Sequence, residues 1–416
     1  MIPQKSLNKK VIAFIVGCFC LTINTCHAQL ILNKLNQKHL YDGYQEISVN
    51  YQLVKSDTAL SLFFQLTLSK HLSIRGFQYS YQLIRDYEDN INITQPTFLS
   101  LADNMIDSTD HNYYFNTSII AGSSPTILLL NISDTVNTRY FYYDITLNHP
   151  KDFPDSDLLI WVEGQEHPHL KPFLSASNSF KIISYYDSVE QVFAYHYRDN
   201  FKYAEPPMIT STSLSKRLTI DSMFTIPTGS NINLQKEGLY FFQSDTNSFN
   251  GISIRISDRY FPRIKHIRKI IDPLVYISTQ EEAEELRSAD NIKQALDRYL
   301  FDLTRSSQRA KRIVRRYFNQ TANANIFFTN YKEGWKTDQG MIYLTFGLPD
   351  QVLRSWDLET WVYFKLGSRP EVRFDFKKVK NIFSSKHYQL IRDNTFDQVW
   401  FNQVGSWRKG RPLIKD

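Results

Sequence analysis

The sequence predicts a mainly β, multi-domain protein. It has two antiparallel β-sandwich domains of immunoglobulin-like style, then a helical connector and a small C-terminal α+β domain. Three observations predict this. Apolar and polar residues alternate in short runs over the first 265 residues. The period changes to three and four between 279 and 320, and alternation returns after Asn330. At 416 residues the chain exceeds what one hydrophobic core holds, so roughly two to four domains are expected.

Residues 1–28 read as a leader. Lys5, Lys9 and Lys10 precede an apolar run from Val11 to Ile23, and a polar stretch then ends in Ala28. That layout predicts a secretory signal peptide with Gln29 as the mature start, because the run is short for a membrane span. A lipoprotein cleavage before Cys18 is the alternative, but it would leave an apolar Phe19-Cys20-Leu21 start. Cys18, Cys20 and Cys26 all lie in this leader, so the mature chain is expected to carry no disulfide, thiolate metal site or thiol nucleophile. Removing the three lysines takes the formal charge from +6 to +3, which gives nucleic-acid binding no global support. No other stretch reaches membrane-spanning length.

The first domain is expected over 29–150. Leu60, Leu62, Phe64, Leu66 and Leu68 alternate with their neighbours, as do Phe77, Tyr79, Tyr81 and Leu83, and Phe141, Tyr143, Ile145 and Leu147. Successive strand side chains face opposite ways, so each run presents one apolar face to a partner sheet. The cluster from Asp103 to His111 reads as punctuation between strands. His149 to Pro154 marks the first boundary. A second domain over 151–265 repeats the style in Leu158–Val162, Lys181–Tyr186, Val192–Tyr197, Leu239–Gln243 and Ile252–Ile256, with a long loop after Glu205-Pro206-Pro207.

The connector is placed at 266–326. Thr279-x-x-Glu282 is a capping box, and Ile292, Ala295, Leu296, Tyr299, Leu300 and Leu303 form one helical stripe. Ala310, Ile313, Val314, Tyr317 and Phe318 form another. The last domain, 327–416, is expected to be a small sheet. Its runs are Ile342 to Phe346, Trp361 to Phe364, and Val372, Phe374 and Phe376.

One stretch stands out: Gly334-Trp335-Lys336-Thr337-Asp338, then Gly340, and Gly347-Leu348-Pro349-Asp350. It reads as a glycine-bounded corner, one strand, and a closing turn. Gly334 and Gly340 are expected to adopt positive φ. Thr337 and Asp338 are expected to accept backbone amides at a turn or helix start. Trp335 is expected to lock the corner, its indole N–H taking one acceptor.

These residues resemble the signature of the GWxTD-domain family. The resemblance extends through Glu237–Tyr240, Arg259–Pro262, Pro273–Ile277 and Arg315–Phe318, roughly 237–355 in all. Met341 and Leu348 depart from it, standing where a basic residue and a second proline are expected. The resemblance implies an exported bacterial protein with β-rich N-terminal domains, and it supplies no catalytic residues.

Four features could carry chemistry. Asp338 and Asp350 would form an acid–base or cation site if one sheet end brought them together. Glu163, Glu166, His167 and His169 would suit a metal, although Pro168 makes a solvated loop the better reading. Arg305, Arg309, Arg312 and Arg316 step by four, three and four, giving one basic helical face. This is either a solvated face or a docking stripe for an acidic partner or anionic lipopolysaccharide. Aromatic residues are 14% of the chain, enough for the cores and for a sugar-stacking platform besides. The sequence has no Gly-x-Ser-x-Gly, His-Glu-x-x-His, phosphate loop or dinucleotide fingerprint.

The expectation is therefore a non-enzymatic interaction or scaffold module of a Gram-negative cell envelope, periplasmic or bound to the outer membrane. It has an envelope protein as partner, a glycan as second candidate, and no cofactor or metal. The alternative is a periplasmic hydrolase or glycan-binding protein with a carboxylate site near Asp338 and Asp350.

Overall fold

A computed structural model of the protein describes residues 30–55, 60–151, 156–186, 189–198, 201–210, 218–364 and 371–410. The expected leader lies outside these residues, as do 152–154 of the expected boundary. Strand accounts for 35% of the chain and helix for 26%, so the protein is mainly β, with several antiparallel sheets and no barrel among the described residues.

Eight strands come first: β1 (Ile47–Lys55), β2 (Leu60–Leu68), β3 (Phe77–Ile84), β4 (Thr97–Leu99), β5 (Met105–Thr109), β6 (Asn112–Ser118), β7 (Thr126–Asp134) and β8 (Arg139–Leu147). They form two four-stranded sheets, ordered β1-β2-β6-β5 and β4-β3-β7-β8. Leu62, Phe64, Leu66 and Phe115 of one sheet share a hydrophobic cluster with Tyr79, Leu128, Leu130 and Ile132 of the other. The alternation in β2 thus marks a true core face. Its opposite face is covered too, since Phe63 packs with Val54 and with Leu159 of the next region. The Asp103–His111 punctuation is corrected. It holds the end of a one-turn helix and β5, which pairs with β6 through a register shift between Met105 and Asp107.

The second group is β9 (Leu158–Val162), β10 (Phe173–Ser175), β11 (Ser179–Ser184), β12 (Gln191–Tyr197), β13 (Ser222–Pro227), β14 (Ile232–Asn233), β15 (Gly238–Gln243) and β16 (Ile252–Ser257). These make sheets β10-β16-β15-β12-β13 and β14-β11-β9, and only the β10–β16 pairing is parallel among those described. Leu158, Ile160 and Phe180 of one sheet meet Val192, Phe242 and Ile254 of the other in a second cluster.

The third region begins with helices α1 (Gln280–Ser288), α2 (Ile292–Thr304) and α3 (Ser307–Phe328). The capping box holds: Thr279 Oγ1 accepts the Glu282 amide, and the Glu282 carboxylate accepts the Thr279 amide. The α2 stripe is buried as its spacing requires, at Ile292, Leu296, Tyr299 and Leu300. Then follow α4 (Asp338–Phe346), the sheet β17 (Gln351–Arg354), β18 (Leu358–Phe364), β19 (Glu371–Lys378) and β20 (Tyr388–Leu390), and α5 (Asp397–Arg408). A single hydrophobic cluster runs from Ile271 to Trp407, so the connector helices and the terminal sheet share one core.

The expected strand at 342–346 is corrected: it is the helix α4. Every residue from Asp338 to Phe346 is buried. A helix covered on all sides has no polar stripe to mark its 3.6-residue period, and its Ile342, Tyr343, Thr345 and Phe346 carry strand propensity. Tertiary burial overrides that propensity here.

A segment from the start of the described chain joins this last region. Asn36 Nδ2 donates to Asp350 O at 2.9 Å, and the Gln37 amide donates to Val352 O at 2.8 Å. Tyr343 Oη donates to Tyr41 O at 2.9 Å. Residues 36–41 thus reach the C-terminal region, whereas Leu30 to Asn33 pair with Tyr87, Asn90 and Ile91 of the first β region.

Candidate functional site

The motif is a junction between α3 and α4. Gly334 and Trp335 form a short 3-10 turn, and the chain enters α4 at Thr337. Thr337 Oγ1 donates to Gly334 O at 2.7 Å and accepts the Gly340 amide at 2.9 Å. It is therefore the helix N-cap, satisfying one of the donors a helix start leaves free. Asn325 of α3 reaches the same corner, accepting the Trp335 amide at 3.2 Å and donating to Pro262 O at 2.9 Å.

Both glycines are needed, for a reason other than the expected one. Neither has positive φ. A Cβ on Gly334 would lie 2.0 Å from Ala324 O, and a Cβ on Gly340 would lie 1.8 Å from Gly334 O. The two positions are glycine because backbone passes against backbone. Gly347 is the motif glycine with positive φ, at 81°, and it ends α4.

Trp335 is 2% exposed. Its indole N–H donates to Glu333 Oε2 at 3.0 Å, and Tyr276 packs edge-on against the ring. The stretch 201–210 closes over it, with Tyr203 near-parallel to the ring and the Ala204 amide donating to Lys336 O at 2.9 Å.

Asp338 and Asp350 are not brought together. They lie at and beyond opposite ends of α4, which at about 1.5 Å per residue puts them well over 10 Å apart along the axis. Asp338 is buried, paired with Arg392 Nη2 at 2.5 Å and accepting the Leu390 amide at 3.0 Å. Asp350 Oδ2 accepts the Phe364 amide at 2.7 Å. Both carboxylates are engaged by strand backbone, and Pro349 beside Asp350 is buried.

The basic face is also divided. Arg305 is the left-handed cap of α2, with φ 49°, and pairs with Asp302. Arg309, Arg312 and Arg316 lie on α3, with Arg309 Nη1 donating to Thr304 O at 3.4 Å. Arg309 and Arg312 are exposed and Arg316 is half-buried.

The histidine pair is not the solvated loop expected. His167 is buried and stacked on Tyr114, and His169 Nε2–H donates to Phe173 O at 2.8 Å. Burial lowers the His169 pKa to about 4, so the ring is neutral. Glu163 and Glu166 are exposed. Among the described residues no group of three or more His, Cys, Asp or Glu could hold a metal ion.

One polar cluster escaped the sequence reading. Glu359 is fully buried on β18 and accepts from Trp361 Nε1 (2.7 Å), Gln339 Nε2 (2.8 Å) and Tyr41 Oη (2.8 Å). Arg354 lies between this carboxylate and Asp144 of the first region, at 3.1 Å and 2.6 Å respectively. Tyr87 Oη completes Asp144 at 2.5 Å. Burial pushes the Glu359 carboxyl above its usual range, and Arg354, Trp361 and Tyr41 oppose that push. Asp144 and Arg354 come from different sheets 210 residues apart in sequence, so the cluster bonds two regions of the chain. In sequence, the period of two puts Glu359 on the same strand face as Trp361 and Tyr363. That spacing from Trp361 and Tyr363 is the one local signal of its burial, and its partners come from distant segments.

The family model for the GWxTD domain matches residues 238–409, a span that runs past 355 to include β18–β20 and α5. No curated protein matches the chain. Among solved structures, HBP35 of Porphyromonas gingivalis is similar at 10% identity, over 52% of this chain and 65% of that one. The TM-score is 0.20, so the likeness carries no argument, and this chain spans less than two thirds of that protein's length. The motif corner lies inside the matched span, and the chain is a GWxTD-domain-containing protein.

Proposed function

We propose that this is an exported cell-envelope protein that works as a non-enzymatic interaction module. The observation that supports this reading most is the use of the motif's polar groups. Thr337 caps α4, Asp338 is neutralised by Arg392, and Trp335 is walled in by Tyr276 and Tyr203. Groups already committed to the fold in this way are poor candidates for turnover. The separation of Asp338 from Asp350 weighs against a hydrolase or glycan site built on that pair.

In this reading the leader 1–28 directs export and is removed before Gln29. Residues 29–150 and 151–265 are two immunoglobulin-like sandwiches, supported by the cluster each pair of sheets shares. The segments 266–326 and 327–416 act together as the GWxTD unit. An acidic envelope protein docks on the stripe of Arg305, Arg309, Arg312 and Arg316, whose exposed members Arg305, Arg309 and Arg312 offer charge to it.

The test is site-specific photo-crosslinking in cells from position 312, with exposed position 297 on α2 as control. A discrete adduct from 312 alone, lost in an Arg309→Glu, Arg316→Glu background, is expected. Monomer only at both positions overturns the module reading. Intact-mass measurement of the envelope fraction checks for a chain that starts at Gln29.

A further inference from the structure

A cleft of about 600 Å³ opens where the first β region, the β10–β16 edge and the C-terminal region meet. Its volume is within the range of small-molecule sites. Three features of its wall indicate what it would take.

The first is charge. Lys55, Lys171, Arg354 and Lys386 line it against Asp42 and Asp144. Asp144 is already taken by Arg354 and Tyr87, and Lys55 donates to Asn148 Oδ1 at 2.9 Å. Lys171 and Lys386 have no carboxylate partner among the described residues, and both are solvent-accessible. The second is the surroundings of Lys386. Lys386 Nζ stands 4.0 Å over the centre of the Tyr51 ring on β1, and Arg354 of β17, Asp144 of β8 and Lys378 of β19 face it. Desolvation lowers its pKa to about 8, with Arg354 and Lys378 adding to the effect and Asp144 opposing it. Desolvation lowers Lys171 as well. The third is the apolar surface beside these amines, where Val49, Tyr51, Leu53 and Ile252 line the same space.

Two ammonium groups that have lost part of their hydration and have no counter-ion gain from an arriving anion. An inorganic anion would leave the apolar wall wet, and a neutral apolar molecule would leave the amines unpaired. The geometry points to this cleft as a binding site for a small amphipathic organic anion. Its carboxylate or phosphate head is taken by Lys386, and its apolar body lies against Val49, Tyr51 and Ile252.

Isothermal titration of the mature protein tests this with decanoate, decyl phosphate, decanol and inorganic phosphate. One or both tailed anions should bind at one site per chain, and the tighter identifies the head group. Decanol and inorganic phosphate should bind at least about tenfold more weakly, as should the tailed anion to Lys386→Met, given what a charge-assisted contact contributes. Lys386→Arg should retain binding. Affinity should fall as pH rises from 7 to 9, because the free amine loses its proton near 8, whereas an ordinary lysine would stay charged to about 10. Equal binding to Lys386→Met, equal binding of decanol, or no saturable binding of either tailed anion overturns the proposal.

Discussion

Replacing Gly340 by alanine sets two effects of opposite sign against each other. Within a helix, alanine is favoured over glycine by about 1 kcal/mol. The added methyl group, however, would sit 1.8 Å from Gly334 O and 2.9 Å from Thr337 Oγ1. The carbonyl cannot withdraw easily, since it accepts both the Thr337 hydroxyl at 2.7 Å and the Thr337 amide at 3.0 Å. Nor can α4, which is buried along its whole length. Overpacking of this severity costs about 3 kcal/mol, so the net loss is about 2 kcal/mol. Gly405 in α5 is the matched control, because a methyl group there would meet nothing within 4 Å. Gly405→Ala should therefore stabilise by about 0.5–1 kcal/mol. Thermal unfolding followed by tryptophan fluorescence suits the purpose, since Trp335, Trp356, Trp361, Trp400 and Trp407 all lie in the C-terminal region. For a unit of this size the melting point should fall by about 4–8 °C in the first variant and rise by about 2–3 °C in the second. A Gly340→Ala protein that melts as high as Gly405→Ala would refute the close-approach account of the motif.

Other outcomes follow from the same geometry. Trp335→Ala should destabilise by about 3–5 kcal/mol, as a buried ring does, and an unchanged melt would contradict its burial. Arg354→Met should cost about 3–5 kcal/mol in urea unfolding, because it leaves Asp144 and Glu359 as unpaired buried carboxylates; a neutral result would mean that they are neutral already. Burial holds His39, His169 and His387 at pKa values of about 4. The unfolded chain therefore takes up protons first as pH falls, and stability should drop between about pH 6.5 and 4. A urea midpoint flat across that window would show these rings to be accessible.

How much of this was legible in the sequence depended on the residue pattern itself. The strands β2, β3 and β8 and the helix α2 were found because their apolar residues recur at a readable period, even in β2, where both faces are covered, and β9, β15 and β16 as short apolar runs. The strand β7 was missed, for Ile127 to Leu130 is buried on both sides and shows no alternation. The helix α4 was misread for the same reason. The amide-accepting role of Thr337 was readable from its residue type beside a glycine corner, although the helix that it caps was read as a strand. The glycines were recognised as special, but sequence does not separate positive φ from close backbone approach. Glu359 was missed because its partners Tyr41, Gln339 and Arg354 are assembled by tertiary structure, one of them 318 residues away.

The attachment of residues 36–41 to the C-terminal core has a consequence for how the molecule comes to exist. Its hydrogen-bonding partners at 343, 350, 352 and 359 lie more than 300 residues further along the chain. A ribosome at about 5–20 residues per second makes this segment early and its docking surface nearly last. The nearer sheets can form while it waits, since local contacts close sooner than distant ones. Its docking then completes the Glu359 cluster. Leu30 to Asn33 can pair early with Tyr87 and Ile91, but residues 36–41, made just after them, are among the last to find their place.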